Sequence, residues 1–245
     1  MREFQSRYRN SLLGAAWMVI QPLSMIVVYT VIFSQIMRAR LPGMDGAFAY
    51  SIYLCTGILT WGLFAEIAGR ASTVFIDNAN LMKKLSFPRL CLPLIVGLNA
   101  GLNFSIIFGL FVAFLLLTGN FPGAVFVALL PVLLVIALLA MGLGITLGVL
   151  NVFFRDVGQL FSIVLQFWFW LTPIVYPITV LPESVRPLLV LNPMATLVNA
   201  MHEIMVFGRW PDWSAVGLVL LLALGLCALG LRLFRKHAGD MVDAL

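Results

Sequence analysis

The chain has 245 residues, of which 62% are hydrophobic and only 10% charged, with a mean hydropathy of +1.06. Soluble domains carry about 25% charged residues, so a fold surrounded by water is excluded and lipid must be the solvent. The formal net charge of +5 follows from how Lys and Arg are shared between the two sides of a membrane, and no nucleic-acid partner is expected.

Residues 2–13 are basic and amphipathic and read as a helix on the membrane surface, anchored by the basic cluster and Trp17. Beyond it, charged residues are absent between Asn10 and Met37, Gly46 and Ala65, Leu90 and Phe154, Val157 and Pro182, and Trp213 and Leu231. A bilayer-crossing helix needs about 20 mostly apolar residues. The third run is interrupted by Gly119-Asn120-Phe121-Pro122-Gly123, a turn signal, and divides in two. About six transmembrane helices are therefore predicted in one all-α domain covering 1–245, at roughly 14–37, 48–70, 92–118, 124–150, 158–176 and 214–234. Continuous apolar runs argue against barrel strands. The first run is too long for the core of a cleavable signal peptide, and no small-x-small site follows it. Cys55, Cys91 and Cys227 lie in or at the ends of spans with neither metal nor disulfide spacing, and read as small packing residues.

The connections carry more information than the spans. With the N-terminus inside, eleven of the 15 Lys and Arg are cytoplasmic, which places both termini in the cytoplasm. The largest cytoplasmic connection, 71–92, holds Asn78-Ala79-Asn80-Leu81-Met82-Lys83-Lys84-Leu85-Ser86-Phe87-Pro88. Leu81, Met82 and Leu85 can share one face of a short helix that Pro88 stops. Such a helix can lie on lipid or dock on a soluble partner. The second cytoplasmic turn is Asn151-Val152-Phe153-Phe154-Arg155-Asp156-Val157. Residues 177–213 are too apolar for a loop in water and are divided by five prolines. Their apolar stretch 194–207 is too short to span and suggests a re-entrant or interfacial helical hairpin at the mouth of a pathway. Gly97 and Gly101, then Gly144 and Gly148, permit close helix contact, and packing within the chain is the expected use.

Catalytic chemistry is hard to assemble from this sequence. His202-Glu203 is followed at the next ligand position by Val206, not His, and no nucleophile elbow or metal-ligand cluster is present. No phosphate-binding Gly-Lys loop occurs, so ATP, if used, is hydrolysed by another subunit. Apart from Arg232 near the end of span six, span two alone carries charged groups, Glu66 and Arg70, which read as a structural i,i+4 ion pair. Two faces look like a pathway. In span one Trp17, Gln21, Ser24, Val28, Val31 and Gln35 follow helical spacing, and in span five Gln159, Ser162, Gln166 and Trp170 form a stripe beside Phe167, Trp168 and Phe169. The polar groups suit either a cavity or interhelical hydrogen bonds. The aromatics suit an interfacial belt or the C–H faces of a sugar.

Four stretches together resemble the ABC-2 type permeases that export polysaccharides of the O-antigen, capsule and teichoic-acid class. They are Arg7-Tyr8-Arg9-Asn10-Ser11-Leu12-Leu13-Gly14 with Gln21-Pro22; Asn78-Ala79-Asn80-Leu81 through Lys83 with Phe87-Pro88; Asn151 through Asp156; and Leu171-Thr172-Pro173-Ile174-Val175-Tyr176-Pro177 with Leu191-Asn192-Pro193. The resemblance implies a permease in the bacterial inner membrane, a homodimer working with two copies of a separate subunit that binds ATP and Mg. No cofactor or metal is expected in this chain. Asn80, Leu81, Lys83, Lys84, Phe87 and Pro88 would then belong to a coupling helix that docks on that subunit. Gln21, Ser24, Gln166, Phe167, Trp168 and Trp170 would line a pathway for a glycan on a polyprenyl diphosphate, and 177–213 would be its periplasmic gate. Arg7 and Arg9 either meet the diphosphate or anchor the inner surface. Members of this class carry a longer stretch ahead of the Arg-Tyr-Arg segment than the six residues present here, as expected if the natural start lies upstream or the terminus is trimmed. An ABC-2 exporter of a small lipid or drug, and a transporter or channel with no ATPase, are the competing readings.

Overall fold

A computed structural model describes residues 48–84, 89–184 and 186–244, with Ser24, Val27 and Val28 besides. The predicted surface helix 2–13 lies outside the described residues. So does predicted span one, except for those three residues, which are helical and exposed.

Among the described residues every regular element is helical. Eight α-helices follow in order: α1 Ala49–Asp77, α2 Ala79–Lys84, α3 Cys91–Leu117, α4 Leu129–Phe153, α5 Asp156–Leu171, α6 Pro193–Met205, α7 Trp213–His237 and α8 Asp240–Ala244. Short 3-10 turns at Gly123–Ala128, Ile178–Val180 and Arg186–Leu191 fill the connections. The helices alternate in direction. One end of the bundle therefore carries α2, the α4–α5 turn and α8, and the far end carries α6 and the segments around it.

Local chemistry sets the boundaries. α3 stops where Gly119 takes φ +70°, and Gly123, also at φ +70°, closes the same turn. These are backbone conformations that glycine adopts without steric cost. α5 stops at Leu171 because Thr172 precedes Pro173 and is driven to extended backbone, φ −105° and ψ 133°. α6 begins with Pro193 in its first turn and Asn192 as its cap. Asp212 caps α7 through the backbone N–H groups of Ser214 and Ala215. The Ser214 hydroxyl, then those two N–H groups, hold the Asp212 carboxyl below the usual carboxylate range.

Among the described residues, four helical segments are long and apolar enough to cross a membrane: α1, α3, Gly123–Phe153 and α7. They coincide with predicted spans two, three, four and six. The end predicted for span five is corrected. Its apolar run continued to residue 176, but α5 has 16 residues and measures about 24 Å, against roughly 30 Å of hydrocarbon. Pro173 ends it early. The predicted gate region folds as two 3-10 turns and the 13-residue α6, which lies against α1, α4 and α7 and buries most of its circumference.

Among the described residues, two larger apolar cores hold the bundle, with a small cluster of Ala49 and Tyr53 besides. The larger joins Phe64 and Ile67 of α1, Phe111 of α3, Ile136 and Leu139 of α4, and Leu197 and Met201 of α6. The smaller sits at the α2 end and contains Phe75, Met82, Val149, Phe234 and Met241. Small residues on α4 let its neighbours close in. A Cβ on Gly142 would stand 2.7 Å from the Cys227 nitrogen, one on Gly144 2.5 Å from the Ala71 Cβ, and one on Gly148 2.7 Å from the Ala71 oxygen. The Gly144 and Gly148 spacing is thus used within the chain, whereas a Cβ on Gly101 would meet no described atom within 4 Å.

Gly148→Ala is expected to force α1 and α4 apart and destabilise the protein by about 1–3 kcal/mol. Gly101→Ala should be neutral or stabilising by up to about 1 kcal/mol through helix propensity. Thermal unfolding of the two purified variants in detergent checks the contrast.

Candidate functional site

α5 presents two different faces. Phe161, Leu165, Trp168 and Phe169 turn toward the large core. Gln159, Ser162, Gln166, Phe167 and Trp170 are exposed, Phe167 at 66% and Trp170 at 61%. The structure therefore brings Gln166, Phe167 and Trp170 together on an open face. It places Trp168 elsewhere. The Trp168 ring meets Phe64 edge-on at 5.2 Å and Trp61 at 6.1 Å, and its Nε1–H donates to Asn192 Oδ1 at 2.8 Å. Trp168 is a packing residue of the bundle in this arrangement, because it stands about 200° around the helix from Gln166. Gln21, the other predicted lining glutamine, lies outside the described residues, and Ser24 is exposed.

Both ends of α5 are pinned by asparagine side chains. At the α2 end Asn151, only 2% exposed, donates from Nδ2 to Ser72 O of α1 at 2.9 Å. Its Oδ1 accepts the Gly158 N–H of α5 at 3.0 Å. The Gly158 position is closed to a side chain, since a Cβ there would stand 2.7 Å from Asn151 Nδ2. At the far end Asn192 does more. Its Oδ1 accepts from Trp168 and from the Met194 and Ala195 N–H groups that open α6, at 3.1 and 3.3 Å. Its Nδ2 donates to Thr172 Oγ1 at 3.0 Å and to Leu171 O at 3.3 Å. One amide thus caps α6 and secures the last turn of α5.

The non-helical segment after α5 is held by tyrosines from the start of α1. Tyr50 Oη donates to Val175 O at 2.7 Å. Tyr53 Oη donates its one hydrogen between Tyr176 O at 3.0 Å and Pro173 O at 3.3 Å. Tyr176 Oη in turn donates to Trp170 O at 2.8 Å. His202 of α6, buried, stacks on Tyr53 with ring centroids 3.7 Å apart and donates from Nε2 to Tyr53 O at 3.0 Å. Irregular backbone away from water survives only with such partners. Asn151 and Asn192 stand inside the stretches quoted from the sequence, and an Asn-Pro pair is a helix-start signal. Tyr50, Tyr53 and His202 carried no comparable local signal.

The second candidate surface is at the α2 end. Asn80, Leu81 and Lys83 are exposed, and Met82 is buried. Lys84 is the last residue of α2, while Phe87 and Pro88, like Arg7 and Arg9, lie outside the described residues. Between the two ends, Glu66 accepts from Arg70 at 3.4 Å and from Asn103 of α3 at 3.2 Å, so the ion pair also ties α1 to α3. Cys227 donates from Sγ to Leu138 O at 3.2 Å, and Cys55 is buried, as packing residues.

The chain belongs to the ABC-2 type transporter family, which it matches over residues 1–206. It is 33% identical over 231 residues to the O-antigen export system permease protein RfbA of Myxococcus xanthus, covering 91% of this chain and 86% of the relative. The RfbA protein of Klebsiella pneumoniae is 29% identical over 236 residues, 96% of this chain and 88% of its own. The polysialic acid transport protein KpsM of Escherichia coli is 20% identical over 245 residues, 100% of this chain and 93% of its own. The chain is therefore a multi-pass membrane protein of a transport family.

Asn192→Ala removes a helix cap and several shared hydrogen bonds, each worth about 1 kcal/mol net, and should destabilise by about 2–4 kcal/mol. Asn192→Asp keeps the acceptor for Trp168 and α6 but leaves Leu171 O and Thr172 without their donor, so its loss should be smaller. Trp168→Phe, which keeps a ring and loses only the N–H, should cost about 1 kcal/mol. Unfolding midpoints of the three variants in detergent test that order.

Proposed function

We propose that this chain is the permease subunit of an ATP-driven exporter that moves lipid-linked polysaccharide, O-antigen on a polyprenyl diphosphate, across the inner membrane to the periplasm. The observation that carries this reading is the likeness, over 91–96% of the chain, to relatives named as O-antigen export permeases. In this reading the chain forms a homodimer and works with two copies of a separate subunit that binds ATP and Mg. Residues 1–245 act as one transmembrane domain, with α5 crossing as span five and 177–213 as the periplasmic re-entrant gate.

The open face of α5 supports a glycan path. Gln159, Ser162 and Gln166 offer donors and acceptors to hydroxyls, and Phe167 and Trp170 offer rings to the C–H faces of sugars. A long polymer must slide past such a wall without deep binding at any point, so weak, repeated contacts on a helix fixed at both ends suit the task. Gln21 and Ser24 of span one are proposed for the facing wall, and Arg7 and Arg9 as contacts for the diphosphate. Asn80, Leu81, Lys83, Lys84, Phe87 and Pro88 are proposed for docking the ATP-binding subunit. The excess of Lys and Arg on the α2 side supports a cytoplasmic position for that end and for both termini.

Deletion of the gene in the source organism tests the reading. Loss of one surface polymer, with its polyprenyl-linked form accumulating inside spheroplasts, is the expected result. An unchanged surface glycan profile in a strain with no redundant exporter would replace the polysaccharide reading with export of a small lipid or drug.

A further inference from the structure

α2 has six residues, too few for a helix to persist alone in water, because nucleation outweighs so few hydrogen bonds. Its position must come from what it touches. Met82 is 2% exposed and shares the small core with Phe75, Phe234 and the fully buried Met241 of α8. Arg89, just beyond α2, donates from Nη1 to Ala238 O at the C-terminal end of α7. A guanidinium there satisfies a free helix carbonyl at the negative end of the helix dipole. His237 packs edge-on against Phe153 of α4 with ring centroids 5.6 Å apart, and its Nδ1 lies 3.2 Å from Asp240 of α8. Phe75 of α1 stacks on Phe234 of α7 at 5.5 Å beneath them. The last helix, α8, thus lies against α4 and α2, and the His237–Asp240 pair joins it to the end of α7.

Burying Met82 also sets the rotation of α2 about its axis. Asn80 stands about 200° from Met82 on a helical wheel and must face outward. Lys83, three residues from Asn80, shares its side, and Leu81, exposed at 43%, stands on the other flank of Asn80. Release of Met82 would leave the same three side chains on a helix with no fixed direction.

We propose that α8, through Met241, is a latch that holds α2 in place, and that it thereby sets how tightly this chain engages the ATP-binding subunit. Met241 and Arg89 are positioning residues: they act on the partner only through α2. The second half of the proposal rests on the reading of α2 as the docking helix.

The test uses the full chain, Met241→Asp, Met241→Leu and a truncation after Gly239, each purified in nanodiscs. Hydrogen exchange of amides 79–84 is expected to quicken about tenfold or more in Met241→Asp and in the truncation, with α1, α3 and α4 unchanged and Met241→Leu close to the parent. Affinity for an ATP-binding subunit from the source organism is expected to fall about tenfold or more in the same two variants and to recover in Met241→Leu. The truncation keeps the latch claim open to refutation if Met241→Asp fails to fold. Unchanged exchange at 79–84 in the truncated chain overturns the latch. Fast exchange with full affinity overturns the link to the partner. A parent chain that binds no ATP-binding subunit at all overturns the docking reading of α2 on which that link stands.

Discussion

Where a helix ends away from water, its free carbonyls and N–H groups must find partners inside the protein, and in this chain that constraint is concentrated at α5. Pro173 ends α5 after 16 residues, too soon to reach both membrane surfaces by itself. The groups exposed by that early end are taken up by side chains from elsewhere. Asn192 donates to Leu171 O and accepts from the Trp168 N–H, and Tyr50 and Tyr53 donate to the carbonyls of Pro173, Val175 and Tyr176. At the other end Asn151 joins Gly158 of α5 to Ser72 of α1. α1 therefore supports α5 at both ends: Tyr53 and Ser72 stand 19 residues apart in its sequence, or about 28 Å along the helix.

A helix held in that way can present a fixed face. Its inner side is committed to packing, with Trp168 on Phe64 and Leu165 passing 3.7 Å from where a Gly69 Cβ would be. Its outer side keeps Gln159, Ser162, Gln166, Phe167 and Trp170 clear of the described bundle. A mixed polar and aromatic strip of this kind is costly against lipid alone, since glutamine amides lack partners there. It is well matched to hydrated sugar rings. The α2 end follows a different logic. There, short helices are held by shared burial of Met82 and Met241.

Much of the architecture was legible in the sequence for simple reasons. Charge-free runs and the Gly119 to Gly123 turn placed α3, α4, α7 and the start of α1 to within a few residues, because lipid demands length and apolarity before anything else; α1 runs on to Asp77, past the predicted end at 70. The length of α5 was misjudged although its signal was present: the apolar run continued past Thr172-Pro173, and the conformational restriction on a residue before proline decided the end. Trp168 was grouped with Gln166 and Trp170 by nearness in sequence, whereas the 3.6-residue period already separates it from them. Asn151 and Asn192 stood in recognised stretches without a role, since a capping amide declares its partners only once distant helices are assembled. The contact of His202 with Tyr53 joins residues 149 apart, and nothing local announces it.

The central claim is that the open face of α5 meets the exported glycan. A photo-crosslinking amino acid placed singly at Gln166, Phe167, Trp170 and Trp168 in actively exporting cells tests it most directly. The account predicts glycan adducts from Gln166, Phe167 and Trp170, and adducts only within the protein from Trp168, whose ring packs on Trp61 and Phe64 of α1. Adducts to membrane lipid alone from the first three positions, or glycan captured at Trp168 and nowhere else on α5, would contradict it.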